Sequence, residues 1–300
     1  MATQRAVFVF GGTGKVGRAL VRSLEPHVAQ GALDLRLGVR SPQRAQELLP
    51  GSGARFVPFD LDAPPENPAS VLRGCHAMFL LTGYTVDMLI QSTIALDAAV
   101  AAGVRHVVHL GVHLDEATTN AHLAWHLYVE KLIESSGLAW THLRPNWMMQ
   151  NVLKTLAVGP GGLTMRNGLS PDRVVSWIDA EDVGAAAAAV LADPRSHRGQ
   201  TYPLAAEARS LGEVCELIGD VLGRPCRYLH LDAVAFRAAK LKSEADVYHA
   251  SAIHYYEQVE AGQTPECDGV FDLTPLLGRQ PTSWRAFVAR QPEAFGPAPR

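Results

Sequence analysis

The sequence predicts an α/β protein: a doubly wound parallel sheet with helices on both faces, followed by a smaller C-terminal α/β cap. Three observations carry this prediction. Apolar strand-like runs alternate with helical patterns through the first half of the chain, a glycine-rich turn joins the first strand to the first helix, and the rhythm changes beyond residue 152. Parallel neighbours need crossover connections, and intervening helices supply them.

Ala6–Phe10 is a short apolar run ending in glycine, which reads as a buried strand. Lys15–Leu24 has helical spacing through Val16, Leu20, Val21 and Leu24. Further strands are predicted at Asp34–Val39, Ala54–Phe59, His76–Leu81, Arg105–Leu110 and Trp140–Leu143. Helices over Pro42–Leu49, Ser70–Arg73, Val86–Gly103 and 121–136 fall between them, and Gly103 ends its helix as a C-cap does. Past residue 152, Gly159–Gly162 reads as a loop and Val174–Ile178 as a strand. Asp179 opens an Ala-rich helix over 180–192, with Asp182 placed to complete its N-terminal cap. Ser210 and Glu213 form a capping box for a helix reaching Leu222. A strand over Cys226–Leu231, two helical stretches and a last helix near Ser283–Arg290 lead to a Pro-rich tail expected to be mobile. The expected division is a dinucleotide-binding domain over 1–152, with 174–193 packing back onto it, and a smaller substrate or cap region over 153–300.

The chain has 300 residues, 47% of them apolar and 19% charged, with a formal net charge of -3. That balance gives no electrostatic reason to expect nucleic acid or an anionic membrane as partner. The N-terminus lacks the apolar core of a signal peptide, and the longest apolar stretch, Gly184–Ala192, is too short to cross a bilayer. Cys75, Cys215, Cys226 and Cys267 are scattered without a CxxC pair, which favours four small buried side chains in a reducing cytoplasm.

Gly11, Gly12, Thr13, Gly14, Lys15, Val16 and Gly17 form the strand–turn–helix fingerprint of a Rossmann-type dinucleotide site. A side chain in this turn would block the diphosphate, whose charge the free backbone N–H groups and the helix N-terminus bind. The second strand ends in Arg40 instead of the acid that binds the ribose hydroxyls of NAD, which favours NADP(H), with Arg44 one helical turn on. Asp60 and Leu61, after the third strand, are placed to meet adenine, although Asp60 serves equally as a turn carboxylate. Thr82 and Gly83, after the fourth strand, lie where backbone approaches the central ribose.

Several segments together resemble the NmrA-like branch of the atypical short-chain dehydrogenase/reductase superfamily. They are Val9–Gly17, Val39–Ser41, His126–Lys131, Ser136–Pro145, Met149–Asn151 and Val175–Asp182, in this order and spacing. The resemblance extends over residues 5–220. It implies a Rossmann domain, a small C-terminal domain, and a substrate cleft between the two. It also implies that His126, Glu130 and Lys131 lie beside the nicotinamide. The chain after Pro145 would pass the same ring, so that Asn146, Trp147, Met148 and Asn151 line the substrate pocket. Members of the branch include reductases of quinones, dyes, imines and enones, and regulators that bind dinucleotide without turnover.

The usual Tyr-xxx-Lys pair is absent, because Leu132 stands four residues after Tyr128. On helix 121–136, His122, His126 and Glu130 share one face. Three readings of that face stand open: His126 moves a proton, the trio binds a metal, or Glu130 holds His126 within a packed helix. No metal is expected at this site. His113, at the carboxyl end of the fifth strand, is a pocket candidate or a structural histidine. The expected function is an NADPH-dependent reductase of a conjugated or aromatic small molecule (quinone, imine or enone). The alternatives are an NADP(H) sensor and a non-redox lyase or isomerase. A homodimer is compatible with the sequence, which fixes no oligomeric state.

Overall fold

The computed structural model describes residues 5–83, 85–241, 246–264, 267 and 269–296. Strands β1 (Arg5–Phe10), β2 (Leu33–Val39), β3 (Arg55–Pro58), β4 (Cys75–Leu80), β5 (His106–Leu110) and β6 (Ala139–Pro145) alternate with helices. These are α1 (Lys15–Ala29), α2 (Pro42–Leu48), α3 (Pro68–Leu72), α4 (Met88–Ala102) and α5 (Ala121–Ser135). Then come β7 (Trp147–Met148), β8 (Leu156–Gly159), β9 (Gly162–Asn167), β10 (Val174–Ile178) and α6 (Ala180–Ala192). After these follow β11 (Gln200–Leu204), β12 (Glu207–Ser210), α7 (Leu211–Leu222) and β13 (Cys226–His230). Helices α8 (Ala233–Lys240), α9 (Val247–Glu260), α10 (Thr274–Leu277) and α11 (Trp284–Arg290) complete the order. The chain divides into two compact units, the first comprising residues up to Val112, Ala124–Arg144 and Ala180–Tyr202. The second comprises His113–Leu123, Pro145–Asp179 and the chain from Pro203 onward.

The first unit is built on a seven-stranded sheet in the order β11-β6-β5-β4-β1-β2-β3. The pairs from β6 through β3 are all parallel. Strand order reverses at β1, which lies between β2 and β4, so the carboxyl ends of β1 and β4 flank a topological switch point. The middle strands are apolar on both faces because helices cover both, and Val7, Phe8, Val9, Ala77, Met78 and Phe79 are fully buried. Phe8, Phe10 and Phe59 pack edge to face. Helix α1 lies against α6 at a point of close approach, where a Cβ on Gly184 would sit 2.5 Å from Ala19 Cβ and 2.6 Å from the Leu20 nitrogen.

The seventh strand, β11, was not legible in the sequence. Gln200-Thr-Tyr-Pro-Leu204 carries a proline, and Leu204 alone of its five residues is buried, as a sheet edge tolerates and a buried strand does not.

The second unit carries two three-stranded sheets, β12-β10-β7 and β13-β9-β8. Gly159–Gly162, expected as a loop, is the turn that joins β8 to β9 in an antiparallel hairpin. The capping box of α7 is formed in both directions between Ser210 and Glu213. Trp177 and Trp284 are buried against one another and, with Trp147, anchor the aromatic core of this unit. The expected mobile tail is corrected in part. Pro292–Phe295 forms a 3-10 turn, Phe295 is buried, and its carbonyl accepts a 2.7 Å hydrogen bond from Arg224. Residues 297–300 of that tail, and residues 1–4 of the N-terminus read above, lie outside the described residues. Among the described residues no helix is long and apolar enough to cross a membrane.

The α1–α6 contact yields a stability prediction. Gly184→Ala forces a methyl into backbone at sub-van-der-Waals distance, and overpacking of this kind costs about 1–3 kcal/mol. Urea unfolding should report a lowered midpoint with an unchanged m-value; a variant as stable as the wild type would show that the helices separate freely.

Candidate cofactor and active site

The glycine turn follows β1 at the switch point. Gly11 adopts φ +72°, and a Cβ there would lie 2.8 Å from the Leu81 side chain and 2.9 Å from the Leu81 carbonyl oxygen. A Cβ on Gly17 would lie 2.1 Å from the Gly11 carbonyl oxygen, so the turn folds directly onto the first coil of α1. The Gly14 N–H closes the turn on the Gly11 carbonyl at 3.0 Å. Gly14 is also the N-cap of α1 and offers no side chain to it. The first N–H groups of a helix lack intrahelical partners, so α1 presents uncapped donors and the positive end of its dipole. Gly14 and Lys15 are exposed, Gly11 and Thr13 are half-buried, and Gly12, Val16 and Gly17 are buried beneath them. This is a cradle for a diphosphate, and the residues present fit a dinucleotide.

Arg40 and Arg44 are both exposed just beyond β2. Ser41 caps α2 by accepting from the Arg44 backbone nitrogen at 3.3 Å, which fixes the spacing between the two guanidinium stems. Asp60 accepts from the Asp62 backbone nitrogen at 3.1 Å, the turn-carboxylate role weighed above. Leu61 and Thr82 are half-buried and Gly83 is exposed. A connection missed in the sequence joins these loops. Gln91 on α4 donates to Asp62 at 2.6 Å and accepts from the Gly83 nitrogen at 3.2 Å. The loops after β3 and β4 are thus held through one side chain. Its only sequence signal is a polar residue on the buried side of α4.

The face of α5 resolves differently from the expected trio. Glu130 is fully buried and takes Arg144 in a two-point ion pair, Nε to Oε1 at 3.0 Å and a terminal nitrogen to Oε2 at 2.5 Å. Arg144 closes β6, so the pair ties α5 to the sheet. His126 is half-buried on the same helix, and Lys131 is exposed with its ammonium 3.1 Å from Glu134. Among the described residues, the group able to gather ligand atoms is not His122, His126 and Glu130 but His109, Glu130 and His142, whose atoms lie within 4.8 Å of one another. Both Glu130 oxygens are already engaged by a cation there, which opposes a second positive charge in a buried site.

The imidazoles around this pair are neutral. Burial first, and then the neighbouring His142 ring and Arg144 guanidinium, hold His109 well below the usual histidine range. Burial, then Arg144 and Lys131, pushes His142 down to about 3. The 3.5 Å approach of His142 Nε2 to Glu134 is therefore not an ion pair, and it is too long for a hydrogen bond. His142 instead stacks on Trp140 with ring centroids 4.4 Å apart.

The expected pocket residues belong to the second unit. The His113 backbone N–H donates to the Pro145 carbonyl at 2.9 Å, and its ring meets Phe271 edge to face. Asn146 is buried and donates to Ser176 Oγ at 2.7 Å and to the Cys267 carbonyl at 3.2 Å, so its amide holds the core of this unit. Trp147 packs among Trp177, Tyr255 and Tyr256. Met148 is half-buried and Asn151 exposed.

A parallel sheet with a naked glycine turn at its switch point defines a Rossmann-type dinucleotide-binding protein. The NmrA-like family pattern matches residues 3–272, and the chain belongs to that family. It is 30% identical over 298 residues to the NAD(P)H azoreductase of Xenophilus azovorans, covering 97% of this chain and 100% of that protein. The NADPH complex of an NADPH-dependent quinone oxidoreductase from Escherichia coli is similar in structure, with a TM-score of 0.78 at 25% identity. That similarity covers 95% of this chain and 99% of the oxidoreductase chain. NmrA, a negative transcriptional regulator solved with NADP, has a TM-score of 0.71 at 20% identity, covering 98% and 95% of the two chains; this likeness concerns the fold alone.

Two outcomes follow from the buried groups. Glu130→Ala removes the buried carboxylate that takes the Arg144 guanidinium at two points and is expected to cost about 3–5 kcal/mol in equilibrium unfolding; a loss below about 1 kcal/mol, the range of exposed ion pairs, would contradict the role assigned to the pair. The second outcome concerns acid. Burial pushes His106 and His122 down to about 4 and His142 to about 3. Their folded pKa values lie below the unfolded value of about 6.5. The unfolded chain therefore binds more protons, and stability falls as pH drops from about 6.5 toward 4. Each such histidine contributes up to ~1.4 kcal/mol per pH unit. Thermal midpoints measured across that window should decline steadily; a flat profile would mean the rings are charged in the fold.

Proposed function

We propose that this chain is an NADPH-dependent reductase that passes hydride to a conjugated or aromatic small molecule of the quinone, imine or enone type. The single observation that carries the reading is the Gly11–Gly17 cradle. It sits at the switch point, and its turn is packed so closely on α1 that side chains are excluded at Gly11 and Gly17. The names of the azoreductase and of the quinone oxidoreductase support the reaction class.

In this proposal Gly11, Gly12, Thr13, Gly14, Lys15, Val16 and Gly17 hold the diphosphate with backbone N–H groups. Arg40 takes the 2′-phosphate, with Arg44 beside it. Asp60 and Leu61 border the adenine, Thr82 and Gly83 the central ribose, and Pro145 the nicotinamide. The bound cofactor supplies the hydride. His126 moves the proton, and its half-buried position suits an imidazole that exchanges with solvent. Glu130 is a positioning residue that acts through Arg144 and the seating of α5, with Lys131 next to it on the helix. His113, Asn146, Trp147, Met148 and Asn151 are the proposed substrate residues. No Tyr-xxx-Lys pair is needed, because a flat electron-poor acceptor held against the nicotinamide reacts through proximity and orientation.

The direct test is to mix the protein with NADPH and a panel of quinones, azo dyes and conjugated carbonyls and to follow loss of reduced-nicotinamide absorbance. Turnover with at least one acceptor is expected. Tight NADPH binding with no oxidation by any of them would overturn the reductase reading in favour of a sensor. Arg40→Ala should raise the NADPH dissociation constant by about tenfold or more, the worth of a charge-assisted hydrogen bond, and leave NADH unchanged. Equal losses for both dinucleotides would remove Arg40 from the phosphate site.

A further inference from the structure

The four cysteines are all free, and two of them, far from any CxxC spacing, meet in space. Cys215 on α7 donates its S–H to Cys226 on β13, with the sulfurs 3.0 Å apart. Three of the thiols are buried as expected, and the expectation is corrected at Cys226, which is half-buried. It opens β13, an edge strand of its sheet. Gly219, one turn along α7 from Cys215, makes the approach possible. A Cβ at 219 would lie 3.2 Å from the Arg224 carbonyl oxygen and 3.4 Å from the Cys226 nitrogen. Cys226 borders a surface cleft lined by Glu216, Gly219, Asp220, Arg224 and Pro225.

We propose that Cys215 and Cys226 are a redox-active dithiol that closes to an intramolecular disulfide on meeting a small neutral disulfide. The two thiols have distinct roles. Cys226 is the attacking sulfur: it is the more accessible, and the Cys215 S–H and the nearby Arg224 charge lower its pKa. Cys215, buried and donating, is raised and follows as the resolving thiol. The Cys226 thiolate attacks one sulfur of the oxidant, forms a mixed disulfide and expels the first thiolate. Cys215 then attacks the Cys226 sulfur and expels the second. Both protein S–H bonds are lost and one S–S bond forms. The two electrons cleave the oxidant, and the two protons end on its paired thiols. Glu216 and Asp220 at the cleft disfavour an anionic oxidant, which is why the ligand class is neutral.

The experiment exposes the intact protein to excess hydroxyethyl disulfide, alkylates the remaining thiols and weighs it. The expected product has lost the mass of two hydrogens and two alkylatable thiols. Digestion links the peptides bearing Cys215 and Cys226, and dithiothreitol restores the starting mass. Cys75 and Cys267, both buried, remain alkylatable after unfolding and serve as internal controls. In Cys215→Ser the reaction should stop at a stable adduct on Cys226. Full alkylation of both thiols after oxidant, or a lasting mixed disulfide on Cys226 of the unaltered protein, would overturn the proposal.

Discussion

The constraint on which the rest depends is the contact between Gly17 and the Gly11 carbonyl. With 2.1 Å between that oxygen and any Cβ at position 17, the turn and the start of α1 share one small volume. The consequence is chemical as well as steric. The chain reverses within a few residues of β1, so the N-terminus of α1 is aimed at the switch point of the sheet with its N–H groups uncapped. A side chain that capped the helix would satisfy those donors and remove the anion site. The absence of such a cap is what makes the turn a binding element and not only a connection.

Other features of the first unit keep that rim in place. Gln91 bridges the loops after β3 and β4, so their backbones are set by a side chain two elements away. Glu130 and Arg144 fasten α5 to the end of β6, with neutral imidazoles instead of solvent around them. An ion pair buried among rings that cannot share its charge holds one geometry, since loss of either partner leaves an unpaired charge. Positioning by a rigid helix is what hydride transfer to a bound acceptor requires of the protein.

The sheet was legible because its signals are local. Strands such as Ala6–Phe10 and helices such as the one read over Lys15–Leu24 announce themselves by period, and the Ser210–Glu213 capping box is a four-residue statement. What escaped was set by tertiary context. The edge strand Gln200–Leu204 has a proline and no apolar alternation, and only its pairing partner makes it a strand. The α5 pattern put His126 and Glu130 on one face, yet Glu130 bonds to a strand residue, Arg144, fourteen positions on, and lies within 4.8 Å of ring nitrogens of His109 and His142. Asn146 reads as a polar pocket residue in sequence, and the bonds of its amide to Ser176 and to the Cys267 carbonyl are contacts that no local pattern foretells. The pairing of Cys215 with Cys226 is of the same kind, a helix-to-strand contact invisible to spacing.

The central claim concerns the uncapped donors of α1, and Gly14→Asp isolates it. Gly14 sits at φ −74°, ψ 178°, a conformation open to any residue, and Asp is a preferred N-cap. A Cβ there meets only the Gly11 carbonyl oxygen, at 3.3 Å. The carboxylate should therefore cap the helix, preserve or raise the thermal midpoint, and place a negative charge where the diphosphate belongs. Calorimetric titration with NADPH should show affinity reduced about a hundredfold or more in a fully folded protein, the scale of a lost charge-assisted site. Undiminished NADPH binding by that variant would contradict the account, because the dinucleotide would then be held somewhere other than the glycine turn.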